Sequence, residues 1–214
     1  MAHPSSLRLP RPDSREEIRP PAEVRRFDGG RGGRGRKPLE PGTILLLGTW
    51  VAIVPVLMFF LSLVSAYVVR SGLGEDWRAV AIPGLFWFNT ALLLAASGLL
   101  EVARRRPAGA VAWVWGAALL GAGFLVGQVI AWRSLLAAGV GLGSTPHASF
   151  LYVLSGTHAA HIVLGVAGLV AAAAWPGRGR AYLAPHEVRR AATTFWHFLG
   201  FLWVGLFGLL VWWR

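Results

Sequence analysis

His158 and His161 stand three residues apart in Ser155-Gly156-Thr157-His158-Ala159-Ala160-His161, within an apolar run that continues to Trp175. On a helix this spacing puts both imidazoles on one face. Neutral imidazole ligates zinc, copper and haem iron, relays protons, and makes hydrogen bonds through either ring nitrogen. Each of these needs partners, because an unpaired polar group in hydrocarbon costs on the order of several kcal/mol. The shared face is therefore expected to pack on another helix. His197, in Phe195-Trp196-His197-Phe198, makes the last apolar segment the expected neighbour.

The surroundings weigh against most of that chemistry. A metal wants carboxylates or further histidines, yet no Asp or Glu lies in the interior of an apolar segment, Glu101 being at a segment end, and the chain has no cysteine for thiolate sites, Fe–S clusters or disulfides. Two histidines on one helix face do not bracket a haem. A proton relay would also need carboxylates, and Asn89 and Gln128 are the only interior amides. Glu101, four residues before Arg105, reads as an ion pair at a helix end. His186 and Glu187, ahead of the last segment, are candidates for a proton-gathering antenna. Helix-to-helix packing is left as the reading for His158, His161 and His197.

The elements that position these residues follow from hydropathy. The chain has 214 residues, is 55% hydrophobic and has a mean hydropathy of +0.53. That is too apolar for a water-soluble domain of this size. Apolar segments at 43–69, 79–103, 110–132, 147–175 and 191–213 each reach the roughly 20 residues that cross a bilayer as helix. The predicted fold is all-α, a bundle of five transmembrane helices over residues 42–214, with Pro55 kinking the first. Residues 1–41, rich in Arg, Pro and Gly, form a basic tail expected to be disordered alone. Its six acidic residues argue against a mitochondrial transit peptide, and no apolar segment precedes its end as a signal peptide would.

Charge sets the expected orientation. Ten basic residues in the tail, Arg104 to Arg106, and Arg178, Arg180, Arg189 and Arg190 would share one side; Arg70, Arg78, Arg133 and Arg214 would share the other. By the positive-inside rule the N-terminus is cytoplasmic and the C-terminus external. The Arg-Gly run from Arg31 to Arg36, beside a membrane segment, is read as meeting anionic lipid head groups or retaining the N-terminus, with no nucleic-acid partner. Trp77, Trp132, Trp175, Trp212 and Trp213 fall at segment ends, as an interfacial belt does. Trp50, Trp87, Trp196 and Trp203 lie deeper. Their role is packing, each N–H needing an acceptor such as a lipid ester or a backbone carbonyl. Gly and Ala crowd the third and fourth segments, which are expected at the bundle core.

Taken in order, Met58-Phe59-Phe60 with Ser65-Ala66-Tyr67, Pro83 with Asn89-Thr90 and Ser97, the histidine stretch from Ser155, and Phe195-Trp196-His197-Phe198 with Trp203 resemble subunit III of the haem-copper cytochrome c oxidases in its five-helix form. The likeness runs from about Gly48 to Trp213. It implies an accessory subunit of the bacterial plasma membrane with no cofactor of its own, packed on the catalytic subunit I of a complex that reduces oxygen to water. The haems and copper belong to partner subunits. It also implies phospholipid bound between the helices and support of proton uptake and turnover stability. On this resemblance His158, His161, His197, Trp196, Trp203, Trp50, Tyr67 and Asn89 are structural or lipid-binding residues, and none is catalytic.

The chain departs from the family pattern at Val56, Gly200 and Arg190, each standing where a carboxylate is common, which implies a divergent branch, such as an oxidase joined to an unusual electron-donating complex. The accessory subunit of nitric oxide reductase has the same fold and remains an alternative. A haem b membrane anchor and a small transporter remain alternatives of a different class. The histidine face predicts that His161→Leu weakens the chain's hold on its complex or lipid and leaves haem content intact, read from the optical spectrum of the purified complex.

Overall fold

In the computed structural model the described residues are 39–73, 76–175 and 183–213. The basic tail to residue 38, together with Gly74, Pro176, Gly177, Arg178, Arg180 and Arg214, lies outside them. Each apolar segment forms one helix of membrane-crossing length: α1 is Pro41–Leu73, α2 Leu85–Arg105, α3 Ala110–Ala137, α4 Pro146–Ala174 and α5 Pro185–Trp212.

Where the helix ends differ from the ends of the apolar runs, local backbone chemistry sets them. Ala79 to Ile82 are apolar but precede Pro83 and do not join α2; instead the N–H of buried Val80 is donated to His147 Nδ1 at 3.3 Å. α3 continues through Arg133 and Ser134 to Ala137, and Gly139 follows with φ 78°, a left-handed turn that glycine adopts at least cost. Thr145 caps α4 by accepting the Ala148 N–H at 3.1 Å, and Pro146 occupies the first turn. α5 begins six residues before its apolar run, because Pro185 opens it and Glu187 reaches back to accept the Ala184 N–H at 2.7 Å.

α2 packs on α3, α3 on α4, α4 on α5, and α5 returns to α2, so these helices close a ring; α1 leans on α4 and α5 from outside. The buried residues of α1, Ile53, Phe60 and Tyr67, recur every seventh position, a single narrow seam. Much of the outer surface of α1 is apolar and exposed: Val51 is 71% exposed and Met58 65%. Trp50, expected to lie deep, is on this bare surface at 53% exposure.

Close approach inside the ring depends on particular glycines. A Cβ on Gly121 of α3 would collide with the ring edge of Trp196 and lie 2.8 Å from Val166, and one on Gly165 of α4 would lie 3.0 Å from Leu199 and 3.3 Å from Trp196. Trp196 of α5 is thus a wedge seated in two glycine notches, the small-residue packing expected where lipid competes with protein for apolar contact. Not every glycine of these helices has such a role: nothing lies within 4 Å of a Cβ built on Gly168.

The wedge gives a double-mutant test. Gly121→Ala should cost about 1–3 kcal/mol by overpacking. Combined with Trp196→Phe it should cost less than the two single losses together, because the smaller ring frees the notch. Thermal unfolding in detergent, followed by loss of monodisperse protein, measures all three.

Candidate functional site

His158 lies at the bundle centre, fully buried. Its ring stacks on Trp203 of α5 at 4.9 Å and 28°, and meets the edges of Phe124 of α3 at 6.0 Å and Phe60 of α1 at 6.3 Å. Neither ring nitrogen has a hydrogen-bond partner among the described residues. His161, one turn along, donates Nδ1–H to the Thr157 carbonyl at 2.7 Å and sets its ring 5.4 Å from Phe60. The acceptor is a carbonyl, so Nδ1 carries the proton. The two histidines therefore share a face, as their spacing predicts, and Phe60 lies against both.

The neighbour on α5 is Trp203, not His197. His197 directly follows Trp196, about 100° around the helix from the face that buries Trp196, Leu199, Trp203 and Leu206, and it is exposed. The structure does not bring the three histidines together. Trp203 is the hub instead. Its N–H is donated to Thr90 Oγ1 at 2.9 Å, and its ring is nearly parallel to Phe86 at 6.2 Å and to Phe207 at 6.1 Å. Beside it, Asn89 donates Nδ2–H to Gln128 Oε1 at 3.4 Å, both residues fully buried, and a Cβ on Gly127 would collide with the Asn89 amide. Trp132 adds an N–H to Ser155 Oγ at 3.1 Å.

Tyr67 ties the far end of α1 to the end of α5: its hydroxyl is donated to the Trp213 carbonyl at 2.6 Å, while the Trp213 N–H goes to Ser71 Oγ at 2.9 Å. His147, which sequence reading passed over, is fully buried at the same end, with its ring 6.0 Å from Tyr67 and 5.5 Å from Trp77. The available signal was Thr145-Pro146-His147, a helix start that places the imidazole in the first turn of α4, where it can accept from an incoming strand of chain.

At the other end, the C-terminus of α2 and the N-termini of α3 and α5 surround a pocket of about 600 Å³. Its inner wall includes Leu100 and Val114; its rim carries Arg104, Arg190, His186 and His197. Glu101, in the wall, accepts from Arg104 Nε at 2.7 Å and from Arg105 Nε at 2.7 Å, the ion pair its spacing predicts, shared by a second arginine. Glu187 caps α5 and approaches Gly42 at the start of α1. Among the described residues no group of three or more His, Asp or Glu is placed to hold a metal ion. The arrangement combines a packed polar and aromatic centre with an amphipathic pocket at one mouth.

No protein-family model matches the chain. It is similar to cytochrome c oxidase subunit 3 of Thermostichus vulcanus, 29% identical over 178 residues that cover 77% of this chain and 85% of that protein. Cytochrome bo(3) ubiquinol oxidase subunit 3 of Pseudomonas putida is 27% identical, over 78% of this chain and 85% of its own. Cytochrome c oxidase subunit 3 of Corynebacterium diphtheriae is 28% identical, over 79% and 88%.

The ring of His158 is held by stacking, so an apolar ring of similar shape should replace it at little cost. His158→Phe is expected to shift stability by less than about 1 kcal/mol, whereas Trp203→Ala, which opens a cavity and removes the N–H that Thr90 Oγ1 accepts, should lose about 3–5 kcal/mol. Thermal unfolding of the two variants side by side checks the contrast.

Proposed function

Because the chain belongs to the cytochrome c oxidase subunit III family, we propose that it is an accessory membrane subunit of a respiratory haem-copper oxidase, seated against the catalytic subunit. The observation that carries this reading is its likeness to subunit 3 of several such oxidases along about four fifths of its length, at 25–29% identity. The haems and copper reside in partner chains. The electron donor is a separate matter, since one relative is by name a ubiquinol oxidase subunit and others are cytochrome c oxidase subunits.

The chain is seated in a bacterial plasma membrane with its N-terminus cytoplasmic. Charge placement supports this: among the described residues, Arg104, Arg105, Arg106, Arg189 and Arg190 gather at the mouth where α2 ends and α5 begins, while at the opposite end Arg70 is neutralised by Asp76, whose oxygens lie 2.9 and 2.6 Å away. The bare apolar surface of α1 suits contact with lipid or with another subunit. Proton uptake is supported through the stability of the assembly and through exposed His186 at the mouth, since Val56, Gly200 and Arg190 supply no carboxylate. Phospholipid between the helices completes the reading.

Affinity purification through this chain in a mild detergent tests it. Haem-bearing partners should come down with it, giving a reduced-minus-oxidised haem spectrum that disappears when the chain is purified alone. A spectrum retained by the isolated chain would make it a haem anchor; a purified chain with no haem-bearing partner would remove the oxidase reading.

A further inference from the structure

We infer that Glu187 is a latch holding a hinged arm of α1, residues 41–54, against the start of α5, and that the arm swings off the bundle when the carboxylate is displaced or loses its charge. The device belongs to the chain itself, whichever complex the chain joins. One carboxylate oxygen of Glu187, Oε2, accepts the Ala184 N–H at 2.7 Å. The other, Oε1, lies against α1 at Gly42: a Cβ built there would collide with the carboxylate and come 2.8 Å from Cγ. The two helix starts can approach this closely because position 42 carries no side chain.

The seat suits a negative charge. Pro41 has no N–H, and Thr43 and Ile44 donate theirs to the Glu40 carbonyl at 2.9 and 3.1 Å, so the Gly42 N–H is the first-turn donor of α1 left without a partner among the described residues. The amino ends of α1 and α5 each carry partial positive charge. A single carboxylate between them answers both. Glutamine at position 187 would keep an acceptor for the Ala184 N–H and lose the charge.

Beyond this contact the arm is loosely held. No residue of α1 before Ile53 is buried. The far half is fixed: Phe60 lies against the rings of His158 and His161, and the Tyr67 hydroxyl is donated to the Trp213 carbonyl at 2.6 Å. Between the two halves stands Pro55, which cannot donate to the Val51 carbonyl and so removes one rung of the helix at their boundary. At 1.5 Å per residue the arm is roughly 20 Å long, and a turn of about 20° at Pro55 carries its tip about 7 Å. The ring of α2, α3, α4 and α5 stays closed meanwhile, since its contacts lie among those four helices.

The chain has no cysteine, so introduced pairs take spin labels without background. Pulsed electron–electron double resonance on the full chain in nanodiscs compares two pairs at exposed positions: Ile44→Cys with Val111→Cys across the latched end, and Val69→Cys with Leu136→Cys at the far end. With the latch intact each pair should give one narrow distance. Gly42→Ala, which fills the seat and leaves the cap of α5 in place, and Glu187→Gln, which removes the charge, should each broaden the first distance and carry part of it outward by roughly 5–10 Å. The second distance should not change. A first distance that is broad before either substitution, or narrow after both, overturns the inference. A response to Glu187→Gln alone overturns it in favour of simple capping of α5, and a response to Gly42→Ala alone in favour of steric packing without a charge. Movement of both pairs together overturns the hinge, because α1 then leaves as one rigid rod.

Discussion

The indole of Trp203 on α5 touches each of the other three helices of the ring. It donates its N–H to Thr90 on α2, receives the edge of Phe124 from α3 at 5.2 Å, and stacks with His158 of α4. α1 joins the same centre through Phe60, which lies against both histidines. In lipid, apolar contact alone gives helices little reason to associate, because acyl chains offer the same contact. Specific shape and the few polar groups then decide which helices meet. A large ring with a single donor, placed among aromatic rings and one hydroxyl, serves both needs.

The second constraint is complementary to it. Trp196, two turns earlier on α5, needs space that only Gly121 and Gly165 provide, and Asn89 needs the space at Gly127. Bulk on one helix is matched by absence of side chain on the facing helix at three separate places. α5 is consequently fixed in rotation as well as position. Its indoles face inward, and the same rotation carries His197 outward to the charged mouth.

The number of helices was legible because an apolar run of about 20 residues has few soluble interpretations. Their ends were less so. Hydropathy reports where a chain enters lipid, whereas Pro83, Thr145 with Pro146, and Pro185 with Glu187 report where hydrogen bonding of the helix starts. The shared face of His158 and His161 could be read from spacing. The partner of that face could not, because pairing α5 by its histidine ignored the angular offset between His197 and the Trp196–Trp203 seam, an offset that the seven-residue separation of the two indoles already contains. The pocket at the mouth was invisible in principle: it is assembled from Leu100, Val114 and Arg190, residues of three helices with no common motif.

The seam of α1 has a consequence for biogenesis. Phe60 waits for His158 and His161, about a hundred residues later in the chain, and at roughly 5–20 residues per second that is on the order of 5–20 s of translation. During this interval α1 resides in the bilayer without these later companions, protected there by the largely apolar circumference that makes it look under-packed in the finished bundle.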